Sequence, residues 1–167
     1  MKFKLAIVVL TWKDWKNTIT CLESIYQQKY KNFKVFVIDN NSQDNTFEKI
    51  KQWSNNKIKI NERLVKHKNK KINFFDLRNN RKLNYNKLIK HKYFFLENNK
   101  NLGCGYGHNT GYKIATKFNF KYVARIDNDM IMPKDFFSNI ISPTELINIF
   151  CLLFPKIELK SEVGSDL

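Results

Sequence analysis

Cysteine is scarce, at three residues in 167, and Cys21, Cys104 and Cys151 stand far apart with no C-x-x-C pair. That argues against a disulfide framework or a cysteine-based zinc site, and free thiols suit a reducing cytoplasm. Long apolar runs are missing too. The run after Met1-Lys-Phe-Lys is too short for the core of a signal peptide, and no small-residue cleavage site follows it. The apolar run at 147–154 falls well short of the roughly 18 residues a membrane span needs. Any membrane contact is therefore expected to be peripheral. Acidic residues are few, 15 against 30 basic ones, for a formal net charge of +15. Such a charge fits an anionic partner, the acidic face of a membrane, or the Lys, Asn, Ile and Phe bias of an AT-rich coding sequence. The lysines are scattered and not gathered in one block. No RNP, KH or zinc-finger pattern is present, which argues against a nucleic-acid partner.

What is present is enough apolar material for one folded domain: 43% hydrophobic and 14% aromatic residues. The pattern alternates short apolar runs with segments of helical spacing. Residues 5–11 (LAIVVLT) read as a strand covered on both faces. Asp14 is placed to cap a helix carrying Ile19, Leu22, Ile25 and Tyr26. A second strand at 33–38 ends in the polar cluster Asp39-Asn-Asn-Ser, and Asp44 is placed to cap a helix with Phe47, Ile50 and Trp53. Residues of about 54–92 are Lys- and Asn-rich and read as a basic insertion, partly loop, with a short helix near 83–89. A third strand at 93–96 leads to a Gly-rich turn over 101–111, then a helix through Ile114 and Phe118. A fourth strand at 122–126 delivers Asp127-Asn128-Asp129, and Pro133 sits where a first helical turn would begin, ahead of Phe136, Phe137, Ile140 and Ile141. The expectation is an α/β fold with a mainly parallel, Rossmann-like sheet and flanking helices. Residues 1–155 would form one unit, and 156–167 a tail. In such sheets ligands bind beyond the carboxyl ends of the strands, and every polar cluster named here falls on that edge.

Asp127 and Asp129, at i and i+2 after a buried strand, can present oxygens to one hard divalent cation, Mg2+ or Mn2+. The alternative is a solvated turn. Asp39 can accept from a base imide N–H or a ribose hydroxyl, or serve its own turn through an Asx bond. The Gly-rich segment can bring backbone close to a phosphate, or be only a tight turn. Its G-x-G lacks the G-x-G-x-x-G spacing and follows the wrong strand, which argues against a dinucleotide oxidoreductase. His108 reads as a proton-transfer group or a neutral loop histidine, and His67 and His91 as surface residues. Lys66, Lys68, Lys70, Lys71, Arg78, Arg81 and Lys82 interleave with Phe74, Phe75 and Tyr85, which a single-stranded nucleic acid could use for stacking; the alternative is a solvated, mobile insertion.

In one order, Ala6-Ile-Val-Val-Leu-Thr-Trp12, Cys21-Leu-Glu-Ser24, Val35-Phe-Val-Ile-Asp39-Asn-Asn-Ser42-Gln-Asp44, Asn101-Leu-Gly103 through Asn109-Thr-Gly111, and Ile126-Asp-Asn-Asp129 resemble the family 2 glycosyltransferases of GT-A fold, especially rhamnosyltransferase-like members that build bacterial surface polysaccharides. The resemblance covers 3–53 and about 93–142. It implies that Thr11 lines the base pocket, Asp39 contacts the base, and Asn41 supports that turn. Asn101, Gly103, Gly107 and Asn109 would lie near the ribose and diphospho-sugar. Asp127 would contact ribose or metal, and Asp129 would bind Mg2+ or Mn2+. The donor would be a dTDP-, UDP- or GDP-sugar and the acceptor a glycan or lipid-linked hydroxyl. Transfer would invert the anomeric carbon at the inner face of the membrane. Lys13 and His108 depart from the residues usual in relatives. The family's catalytic base is expected further along, and none of Asp135, Glu145, Glu158, Glu162 and Asp166 sits in a matching context. The catalytic residue is thus left unassigned. The expectation is a shortened chain that binds nucleotide without turnover, with a basic nucleic-acid module or a non-catalytic interaction remnant as alternatives.

Overall fold

The computed structural model describes residues 3–60, 62–68, 71–78, 82–141 and 153–154. Lys70, Arg81, Cys151, Glu145, Glu158, Glu162, Asp166 and the tail at 156–167 lie outside the described residues. Strands and helices alternate: β1 (Leu5–Thr11), α1 (Trp15–Tyr26), β2 (Phe33–Asp39), α2 (Thr46–Ser54), β3 (Phe74–Asp76), α3 (Tyr85–Lys90), β4 (Tyr93–Glu97), α4 (Gly103–Lys117), β5 (Tyr122–Asp127), α5 (Phe136–Ile140) and β6 (Leu153–Phe154). They form one sheet in the order β3-β4-β2-β1-β5-β6. Its first five strands run parallel, and the short β6 is antiparallel to β5.

The uninterrupted apolar run of β1 has a direct cause. Alternate residues point to opposite faces of a sheet, and here both faces are covered. Leu5, Ile7 and Val9 pack with Ile19, Leu22 and Ile25 of α1, with Ile50 and Trp53 of α2, and with Phe137 of α5. Ala6, Val8 and Leu10 pack with Leu88 of α3, with Ala115 of α4 and with Phe118 just after it. Two cores, one on each face, make a three-layer α/β/α unit.

Four departures from the expected elements are informative. The Gly-rich stretch is helix from Gly103 onward, not a turn. Glycine is a poor helix former, but Gly111 lies where an added Cβ would sit 2.4 Å from Val8 Cγ1, so packing against β1 selects it. The second helix is entered at Asn45 with no side-chain cap, while Asp44 Oδ1 accepts from Thr46 N at 2.8 Å. Pro133 does not open the fifth helix, which starts at Phe136. The basic segment contributes the edge strand β3, and buries Ile60, Val65, Ile72 and Leu77.

Further residues of that segment face inward. His67 is not a surface residue: its Nδ1 lies 3.4 Å from Oε2 of the buried Glu23. The aromatics of β3 also spend their faces internally. Phe74 packs on Tyr93 and Trp53, and Phe75 on Phe94 and His91. Arg78 pairs with Asp76 and stacks 3.3 Å above the Phe47 ring. A stacking platform for bases needs such faces open.

Candidate donor-binding site at the carboxyl edge of the sheet

Strand register assembles the site. Thr11 lies beside Asp39, Leu10 beside Asp127, and Asp39 beside Glu97, so the polar ends of β1, β2, β4 and β5 share one edge. Asp39 is buried, with Ser42 donating to it from both its hydroxyl and its backbone N–H. Burial raises the Asp39 pKa, the Ser42 bonds oppose that rise, and Glu97 and Asp44 add to it. Ser42 Oγ also accepts from Lys13 N at 2.9 Å, which ties the β1 and β2 turns together. Lys13 and Asn41 hold positive φ angles of 54° and 63° in those turns. Asn41 donates to Asn99 O at 2.7 Å.

A network built on Asn40 and Asn98, which were not named as candidates from the sequence, and on Asn101, which was, joins the second and fourth strands to the glycine-rich helix. Asn40 donates to Asn101 Oδ1 at 2.8 Å and to Gly103 O at 3.2 Å. Its own Oδ1 accepts from Asn98 Nδ2 at 3.0 Å and from Leu102 N at 3.2 Å. Thr110 donates to Asn98 Oδ1 at 2.6 Å. This network seats the start of α4 against the strand ends, and Gly107 packs there on Leu10 and Asn40. The one signal available beforehand was polar asparagine directly after two apolar strands.

Not every expected contact residue offers a free group. The Thr11 hydroxyl is buried and shares a 2.7 Å hydrogen bond with Thr18. Asn101 Oδ1 serves Asn40 and, at 2.8 Å, Gly103 N. Asn109 lies within α4, half-buried. Asp127 ends β5, and Arg125 reaches its Oδ1 at 3.3 Å. Asp129 is exposed in the following turn, with no hydrogen bond or ion pair among the described residues. Asn128 donates to Asp14 Oδ2 at 3.1 Å, pinning that turn to the start of α1. Below it the Cys21 thiol pKa is pushed up, first by burial and then by Asp129 and Asp127, so this cysteine stays an inert thiol. His108 is buried, and burial lowers its pKa further than the bond to Cys104 O raises it.

No cluster of three His, Cys, Asp or Glu ligands exists among the described residues. Two adjacent carboxylates, one of them unpaired and exposed, nevertheless fit a hard cation that keeps waters and takes further oxygens from a bound phosphate. A cavity of about 520 Å³ lies at the opposite end of the strands, lined by Lys31, Lys68, Lys92 and Lys134 beside Tyr93. None of the polar clusters reaches it, so strand-end geometry locates the candidate site better than cavity size does.

The fold is of GT-A type. Residues 6–87 match the family model of glycosyl transferase family 2. Among solved structures, S. aureus TarS 1–349 in complex with UDP-GlcNAc is 19% identical, with a TM-score of 0.54, over 83% of this chain and 30% of that one. The mannosyltransferase PcManGT from Pyrobaculum calidifontis, in complex with GDP-Man and Mn2+, is 19% identical, with a TM-score of 0.55, over 84% of this chain and 32% of that one. The chain therefore spans under a third of the length of these structures. A search of curated protein sequences gives no match.

Proposed function

We propose that the chain is the donor-binding part of a family 2 glycosyltransferase that moves a sugar from a nucleoside diphosphate to an acceptor hydroxyl. The observation that carries this reading is the convergence of Asp39, Asp127 and Asp129 on the carboxyl edge of a parallel sheet whose first half matches that family. The donors named for the two similar structures, UDP-GlcNAc and GDP-Man, support a nucleotide-sugar here. Asp39, held by Ser42, orients the base. The Asn40–Asn98 network fixes the helix start beside the ribose and diphosphate. Asp127 and Asp129 would hold Mg2+ or Mn2+, which when bound neutralises charge on the leaving diphosphate. The Mn2+ named with the mannosyltransferase supports that choice.

The reading extends to a glycan or lipid-linked acceptor of bacterial surface polysaccharide, with rhamnose as one candidate sugar. It also extends to peripheral residence at the inner membrane face, where a net charge of +15 favours acidic lipid. No helix among the described residues is long and apolar enough to cross a membrane.

Thermal melting with dTDP, UDP and GDP, each with Mn2+ or with EDTA, tests the site. Ligand at 100 times its dissociation constant stabilises by about 2.7 kcal/mol. The expected result is a base-selective shift whose metal-dependent part disappears in Asp129→Ala. A cooperative melt that no nucleotide moves would refute the reading.

A further inference from the structure

His108 is a buried polar group at this edge that the proposed site leaves unused. The imidazole is 1% exposed and stacks on Tyr112 at 6.3 Å. Its Nδ1 lies 2.8 Å from Cys104 O. A carbonyl only accepts, so Nδ1 carries a proton, and in the neutral imidazole Nε2 presents a lone pair. Nε2 has no hydrogen-bond partner, and it lies 4.0 Å from Asp127 Oδ1. Two acceptors at that distance share no proton. Arg125 does not bridge them: its Nη2 donates to Asp127 Oδ1 at 3.3 Å and contacts Cys104 Sγ at 3.1 Å. Native sites rarely leave a buried acceptor unpaired.

Two neighbouring donors, one for the imidazole and one for the carboxylate, would satisfy the pair. A single hydroxyl has one proton and serves only one acceptor. Two vicinal hydroxyls, each about 2.8 Å from its acceptor, span the gap. We propose that His108 Nε2 and Asp127 together read the cis-diol of the donor ribose, so that this site takes ribonucleoside diphosphates in preference to 2′-deoxy ones. The proposal rests on the donor-site reading above. It disfavours dTDP among the three donors considered and makes His108 a determinant of donor choice.

The test is calorimetric titration of the whole chain with UDP against 2′-deoxy-UDP, and GDP against 2′-deoxy-GDP. The ribonucleotide is expected to bind about tenfold tighter or better, because the deoxy analogue leaves a buried acceptor unpaired. His108→Phe and His108→Leu are expected to weaken the ribonucleotide alone and bring the ratio near one. Long-range 1H–15N spectra of the unaltered chain give a check that needs no variant: the His108 Nε2 resonance should move with UDP and stay put with the deoxy analogue. Equal affinities in the unaltered chain would overturn the inference and leave the donor site standing. A preference that persists in both folded variants would overturn the role of His108. Binding of no nucleotide at all would instead sink the donor-site reading, and this inference with it.

Discussion

Glu23→Ala is expected to remove about 3–5 kcal/mol of folding stability, as loss of one member of a buried polar set does. Glu23 is fully buried in α1. It accepts from Trp53 Nε1 at 2.9 Å, from Lys68 N at 3.2 Å and from Gln27 Nε2 at 3.2 Å, with His67 at 3.4 Å. Alanine would strand the indole and backbone donors in the core and open a void beside Trp53. It would also loosen the basic segment, which is tied to the domain through Lys68 and His67. Against the 5–15 kcal/mol typical of a folded domain, that loss is large. Glu23→Gln, which keeps one acceptor oxygen, should lose clearly less. Urea unfolding followed by tryptophan fluorescence measures both. Equal, small losses for the two variants would show that the network is not what holds this segment.

The second large effect is expected at Gly111. In Gly111→Ala the new Cβ would meet Val8 at 2.4 Å (Cγ1), 2.7 Å (Cγ2) and 3.1 Å (Cβ). Val8 is a fully buried, β-branched residue of β1, so it cannot rotate clear. The helix has to lift from the sheet, at a cost of about 3 kcal/mol. The gain of roughly 1 kcal/mol from replacing a helical glycine does not offset this. Gly105, also in α4, has nothing within 4 Å of a built Cβ. Gly105→Ala should therefore stabilise slightly, and a denaturant melt of the pair separates packing from propensity. Val8→Ala added to Gly111→Ala should recover part of the loss if the clash is the cause.

These two residues also show where the sequence was legible. Four of the strands announce themselves as apolar runs because both faces of the sheet are covered, and Asp127-Asn128-Asp129 stands out because it follows one of them. β3 does not. It is three half-buried residues at the sheet edge, inside a lysine-rich stretch, and only its pairing with β4 makes it a strand. The glycine-rich helix was hidden by propensity. Four glycines in nine residues argue locally for a turn, and the contact with Val8 that accounts for Gly111 is a tertiary fact. The Asn40–Asn98 pair is set by the β2–β4 register, which aligns Asp39 with Glu97. Residues 58 apart in the chain carry no sign of that neighbourhood. Glu23 sits among buried helix residues as the exception that only its partners explain. The aspartates of the candidate site were readable from position alone. The inward commitments of Thr11 and Asn101 were not, because they depend on Thr18 and Asn40.

The central claim is that nucleotide binds at the carboxyl edge of the sheet. The direct measurement is an assigned 1H–15N titration of the chain with UDP and GDP in the presence of Mg2+. Shifts concentrated at residues 11–14, 39–44, 98–111 and 127–129 are the expected result. Shifts confined to the lysine-lined cavity around Lys31 and Lys92, or to the basic segment 54–92, with the strand ends unmoved, would contradict it.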